Sequence, residues 1–150
     1  MVKNIGVISD THGLIRSEVY EFFRDCDLII HAGDIVKEST IYELETICKV
    51  EAVSGNNDFN LDHNKYPDNK KLNINDSLNV YVIHDLSYMN EEYINYDIVI
   101  HGHTHNPSEK YINNTLILNP GSFGPKRFSL PISLAVINIE NKIQVKCFQI

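Results

Sequence analysis

The sequence predicts an α/β fold of two packed mixed β-sheets flanked by helices, in a single domain over residues 1–150. Short apolar runs rich in Val and Ile recur, and each stops in a polar cluster: "IGVISD" at Asp10, "DLIIHAGD" at Asp34, "VEAVSGNND" at Asn56 to Asp58, "NVYVIHD" at His84 and Asp85, and "DIVIHGHTH" at His103 to His105. Helix-period segments separate the first three runs, whereas the second half is built of closely spaced strands. Runs this brief and this β-branched suit buried strands better than helices.

In "RSEVYEFFRDC", Val19, Phe22, Phe23 and Cys26 fall at helical spacing and form one apolar face. "ESTIYELETICK" repeats the pattern with Ile41, Leu44, Ile47 and Cys48, and offers Ser39 or Thr40 as N-cap. Strand, helix, strand, helix, strand in succession predicts right-handed parallel crossovers. Beyond them come "KKLNIN", "SLNVYVIH", "EKYINN", "TLILN", "ISLAVINI" and "KIQVKCFQI", with "INDSLN" and "NIENK" as hairpin turns. Two sheets packed together accommodate both halves. The polar stretch from Asn56 to Lys71 has no periodicity and reads as a loop, either a substrate-recognition segment or a solvated connection.

At 150 residues and 43% hydrophobic content the chain can bury one core and not two ordinary ones. Thirteen Lys plus Arg against twenty Asp plus Glu leave a formal charge of −7, which repels long nucleic acid. Small phosphorylated substrates stay compatible with that charge. Cys26, Cys48 and Cys147 form no CxxC and sit in apolar-periodic segments, so they read as buried free thiols of a reducing cytoplasm. Neither a signal peptide nor an apolar stretch of membrane-spanning length is present, and a soluble protein is expected.

Ligands in sheets with parallel strands bind beyond the carboxyl ends of those strands. All five polar clusters lie at such ends. Together they offer Asp10, His12, Asp34, Asn56, His84, His103 and His105, an oxygen and imidazole set suited to divalent transition metals. A carboxylate is needed to bridge two cations, and Asp34 is the candidate. Two ions about 3.5–4 Å apart can share and deprotonate a water and clamp a phosphoryl group, so phosphoester hydrolysis is the natural chemistry.

"SDTHG" at Ser9 to Gly13, "GD" at Gly33 and Asp34, "GNND" at Gly55 to Asp58, "GHTH" at Gly102 to His105 and "NPGS" at Asn119 to Ser122 resemble, in order, the motifs of the calcineurin-like metallophosphoesterases. The likeness is greatest to their small bacterial and archaeal phosphodiesterase branch, a relative of the small scaffold subunit of retromer. It implies a metallophosphoesterase-type α/β sandwich. It implies a first metal among Asp10, His12, Asp34 and His105, and a second among Asp34, Asn56, His84 and His103. Two divalent transition ions are implied, manganese foremost, with iron, nickel, cobalt or zinc as alternatives. The implied activity is hydrolysis of a small phosphodiester by a metal-activated water, with Asp34, His103 and Asn57 at the chemistry itself. A phosphomonoesterase or nucleotidase on the same site is the alternative enzyme, and a non-catalytic scaffold the reading from another class. The scaffold is disfavoured because every ligand position holds a competent residue. A homodimer is an expectation from the resemblance alone.

The sequence departs from the family pattern in three places. Asn57 stands where relatives have a histidine, so it can donate a hydrogen bond to phosphate but delivers no proton, which favours good leaving groups. Asp85 replaces a usual glycine and can orient His84, add a ligand, or cap the next helix. Lys126 replaces a common proline, leaving Arg127 to contact a structural carboxylate or a phosphate. His31 and His101 read as packed or hydrogen-bonded residues, and His63 as solvated. Gly102 is expected to loosen the backbone between His101 and the two metal histidines.

Overall fold

The computed structural model describes residues 1–150. Its first sheet contains β1 (Asn4–Ile8), β2 (Leu28–His31) and β3 (Lys49–Ala52), parallel to one another and linked through α1 (Glu18–Phe22) and α2 (Glu38–Glu45). β9 (Ser133–Asn138) pairs antiparallel with β1, and β10 (Gln144–Gln149) extends that edge, giving the order β10-β9-β1-β2-β3. The second sheet runs β4 (Asn69–Ile74), β5 (Leu78–Ile83), β6 (Ile98–Ile100), β8 (Thr115–Asn119), β7 (Ser108–Ile112), with β5, β6 and β8 parallel. Both sheets are therefore mixed, as the two halves of the sequence predict.

Alternation within strands explains why both faces are apolar. Ile5 and Val7 of β1 and Ile30 of β2 point into the space between the sheets, where they meet Val80, Val82, Ile98, Ile100, Leu116 and Leu118. Their neighbours Ile8 and Ile29 point the other way, onto Val19, Phe23 and Leu44 of the helical layer. Each such aliphatic side chain contributes about 1.5–3 kcal/mol of burial. Helices flank only the first sheet. The outer face of the second, Tyr81, Ile83, Val99 and Ile117, is covered by Leu86, Met89, Tyr93 and Tyr96 from two 3-10 turns and their flanks. In the β4–β5 hairpin, Asn75 and Asp76 both adopt positive φ (57° and 58°), the geometry that Asn and Asp tolerate and a tight hairpin requires.

Several local expectations are corrected. The helical face from Val19 to Cys26 is buried, yet α1 closes after Phe22, and Cys26 follows in a turn bonded to the Phe23 carbonyl. Asp27 lies just beyond, where its carboxylate accepts from Lys3 and Asn4 N–H and fixes the start of β2. α2 starts at Glu38, ahead of the expected caps, because the Thr40 hydroxyl donates back to the Lys37 carbonyl instead of accepting. β4 begins at Asn69, inside the stretch read as loop. The remainder of that loop is neither free nor fully solvated: Tyr66 is buried against Ile35, Ile41 and Ala52 and donates a 2.6 Å hydrogen bond to Glu38. Cys147 is exposed on the edge strand β10, of which only Val145 and Phe148 are partly buried.

Candidate metal centre

The segments leaving β1, β2, β3, β5 and β6 meet at one rim, and backbone hydrogen bonds stitch them together. Asp10 N–H donates to the Gly33 carbonyl (2.9 Å), His12 N–H to Asp34 (3.0 Å), and Gly102 N–H to His84 (2.9 Å). Turning out of a strand this sharply puts side chains where regular backbone would not. Asp10, His12, Asp34, His103 and His105 all adopt positive φ, from 48° to 71°. Residues other than glycine there cost on the order of 1–3 kcal/mol each, and such strain concentrates at functional sites.

All seven candidate ligands come together. His105 Nε2 lies 3.3 Å from Asp10 Oδ1, and His12 Nε2 lies 3.7 Å from Asp34 Oδ2. Asp10, His12 and His105 present ligand atoms within 4.8 Å of one another, as do Asp10, Asp34 and His84. On the other side Asn56 Oδ1 is 3.1 Å from His84 Nε2 and 3.2 Å from His103 Nδ1. Asp34 Oδ2 joins that side too, 3.5 Å from His84 Nε2. Asp10 faces both groups, because its Oδ1 is also 3.7 Å from His84 Nε2.

Asp10, Asp34 and His84 act on one another. Burial raises the Asp34 carboxyl, but the His84 hydrogen bond and charge and two donors from Asn57 outweigh it and hold the group well below the usual carboxylate range. Asp10 is lowered likewise, burial being overcome by His105, His84 and Ser9. Burial pushes the His84 imidazole down, but Asp34 and Asp10 beside it win and raise it. Asp10 Oδ1 and His105 Nδ1 are buried without a hydrogen-bond partner. An anionic oxygen enclosed among imidazoles fits a cation, which would supply the compensation that burial removes. Nitrogen and oxygen donors without thiolates suit manganese, iron, nickel, cobalt or zinc.

Surrounding residues hold the ligands in place. His84 Nδ1 donates to the Ala32 carbonyl at 2.7 Å, which leaves Nε2 for the centre. Asn57 donates to Asp34 from its backbone N–H and its side-chain amide, both at 2.9 Å. Its amide meets the carboxylate with one of its two N–H groups. Asp85 caps the 3-10 turn Leu86–Tyr88 through Ser87, and its Oδ2 lies 3.6 Å from His103 Nε2, so His103 and not His84 is its imidazole neighbour. Gly102 serves by its size: a Cβ there would stand 2.7 Å from Asp10 Oδ2 and closer still to Ser9 Oγ, and its φ is not positive.

Two supports escaped the sequence reading. Asp58 is fully buried and accepts from Ile35, Val36 and Gly55 N–H, pinning the turn that carries Asp34. Asn119 donates to the Gly102 carbonyl (3.1 Å) and Thr104 Oγ1 (3.0 Å), fixing the turn that carries His103. Both lie within quoted motifs, the only signal available. His31 is fully buried between Thr11 Oγ1 and Gly33 N–H and stays outside the centre. His101 is buried beside β8 and belongs to neither donor group. His63 is exposed, as expected, with Nε2 3.2 Å from the Asp58 carbonyl, and Arg127 is exposed too.

The chain is similar to known proteins along most of its length. A model of the calcineurin-like phosphoesterase superfamily domain matches residues 4–142. A probable metallophosphoesterase of Methanothermobacter thermautotrophicus is 36% identical over 153 residues, covering 92% of this chain and 87% of the relative. The solved structure of an archaeal phosphodiesterase superposes with a TM-score of 0.78 at 25% identity, over 98% of this chain and 99% of that one. Vps29 of Chaetomium thermophilum superposes at 0.77 with 15% identity, over 99% and 95% of the two chains, a likeness of fold. Matched along nearly its whole length by that family model, this chain belongs to the calcineurin-like phosphoesterase superfamily.

Proposed function

We propose that the protein is a phosphodiesterase that works with two divalent cations, manganese foremost, on a small phosphodiester. One observation carries the reading: Asp34 Oδ2 lies between the two donor groups, 3.7 Å from His12 Nε2 and 3.5 Å from His84 Nε2. When bound, two such cations act as Lewis acids on the phosphoryl oxygens and lower the pKa of a water nucleophile. The protein's part is to keep the donors in place. Asp34 is held by Asn57, His84 by Ala32, and Asp10 by Ser9 Oγ at 2.6 Å.

A cleft of about 410 Å³ opens beside Asn56 and His84. Its lining includes Asp68 and Asp85 but neither Lys nor Arg, so attraction of an anionic ester falls to the cations. Asn57 carries an amide, which delivers no proton to a leaving group. Diesters with acidic leaving alcohols are the favoured substrates on that ground. The relationship to an archaeal phosphodiesterase supports the diester over the monoester.

The test is a metal-by-substrate matrix on chelator-stripped protein: Mn2+, Fe2+, Co2+, Ni2+ and Zn2+ against bis(p-nitrophenyl) phosphate and p-nitrophenyl phosphate. Diester turnover restored by Mn2+ and abolished by Asp34→Asn or His103→Ala is expected. Faster monoester turnover would assign a phosphomonoesterase, and no turnover with any metal would remove the enzymatic reading.

A further inference from the structure

We propose that Asp85 is a positioning residue for the second cation and acts through His103, an inference that rests on the two-cation reading. Asp85 follows His84 at the end of β5, and one of its oxygens is fixed: Oδ1 accepts from Ser87 N–H at 3.0 Å and from the Ser87 hydroxyl at 2.8 Å. The other oxygen is thereby aimed at His103, with Oδ2 3.6 Å from Nε2. On the opposite edge of that ring Nδ1 lies 3.2 Å from Asn56 Oδ1, the atom that also meets His84 Nε2 at 3.1 Å. The two nitrogens of an imidazole point away from each other. One edge of His103 therefore faces the second donor group while the other faces a carboxylate.

A separation of 3.6 Å is an ion-pair distance, and a shift of a few tenths of an ångström makes it a hydrogen bond. A carboxylate behind a ligating imidazole fixes its tautomer, restrains its rotation and raises its basicity. His84 needs no such help, since its side chain is 4% exposed and the Ala32 carbonyl already holds Nδ1. His103 does need it. Its side chain is 42% exposed and it stands on a turn at φ 71°, so without a partner it would lose much freedom on binding a cation. Asp85 itself lies across the ring from Asn56, which places it behind the ligand and not among the ligands.

Chelator-stripped protein titrated with Mn2+ against a competing fluorescent chelator resolves the two sites. Asp85→Ala should weaken one site about 10–100-fold and spare the other. Asp85→Asn keeps an acceptor and the cap and should fall between Asp85→Ala and wild type, which guards against misfolding of the alanine variant. Ser87→Ala keeps the carboxylate and the residue-87 N–H that aims it but removes the hydroxyl, so the same site should weaken by less than in Asp85→Ala. Wild-type affinity at both sites in Asp85→Ala would overturn the proposal, as would an equal loss in Ser87→Ala, which would assign the effect to the turn. A wild-type protein that takes up only one ion would refute the two-cation reading itself, whatever the Asp85 variants do.

Discussion

Asp58→Ala should be among the most damaging single substitutions in the chain, although Asp58 touches none of the candidate ligand side chains. Its carboxylate accepts from Ile35 N–H at 3.1 Å, Val36 N–H at 2.7 Å and Gly55 N–H at 2.8 Å, at full burial. Alanine leaves three enclosed donors without a partner, each at about 1–3 kcal/mol. Val36 offsets part of that loss, because a β-branched residue held at φ 69° against a cost of about 1–2 kcal/mol is freed to relax. Partial relief by water brings the expected loss to about 3–5 kcal/mol, a large share of the ~5–15 kcal/mol that stabilises a typical domain. Thermal unfolding in the presence of chelator should show a fall in Tm of about 6–20 °C, taking about 2–4 °C per kcal/mol for a chain this long. Asp58→Asn should be intermediate, since its amide would face one N–H with another. A Tm for Asp58→Ala equal to wild type would show that the Asp34 turn is held by something else.

Further outcomes are expected at the centre and near it. Gly102→Ala should cost about 1–3 kcal/mol and abolish tight metal uptake, because the new Cβ displaces Ser9 and Asp10; wild-type metal affinity would contradict the close-approach reading. Asn57→Ala should lower kcat/KM by no more than about tenfold with an unchanged pH profile, because the backbone N–H of residue 57 still holds Asp34. A loss of a thousandfold or more, with a shifted alkaline limb, would mean that Asn57 acts on the substrate. Burial holds the His31 imidazole down at about 4, so the unfolded chain binds a proton there from pH 6.5 downward while the fold does not. Stability from His31 is therefore lost as pH falls from about 6.5 to 4, by about 3 kcal/mol in all. Urea unfolding of the metal-free protein should show that loss relative to His31→Gln, and parallel pH curves would refute it.

The order of the fold could be read from the sequence because β1, β2, β5, β6 and β8 are buried on both faces and so spell near-continuous Val and Ile runs. Asp10, Asp34, His84 and His103 stood out because each such run breaks into polar residues at its carboxyl end. What stayed hidden depends on contacts between distant segments. Asp58 pins backbone 22 and 23 residues away, and hydrogen bonds to main chain leave no pattern in side-chain identity. Tyr66 anchors a polar loop as a lone aromatic, without any period to reveal it. Gly102 reads as a hinge until the neighbouring Ser9 and Asp10 are seen to fill the space where its side chain would be. The partner of Asp85 was misjudged for the same reason. Adjacency in sequence suggested His84, whereas Asp85 caps the turn that follows β5 and the turn after β6 brings His103 to it instead.

Anomalous diffraction from crystals of the protein loaded with Mn2+ tests the central claim most directly. The account predicts two peaks about 3.5–4 Å apart on either side of the Asp34 carboxylate, one contacting His12 and His105 and the other Asn56, His84 and His103. A single peak, or two that do not share Asp34, would contradict it.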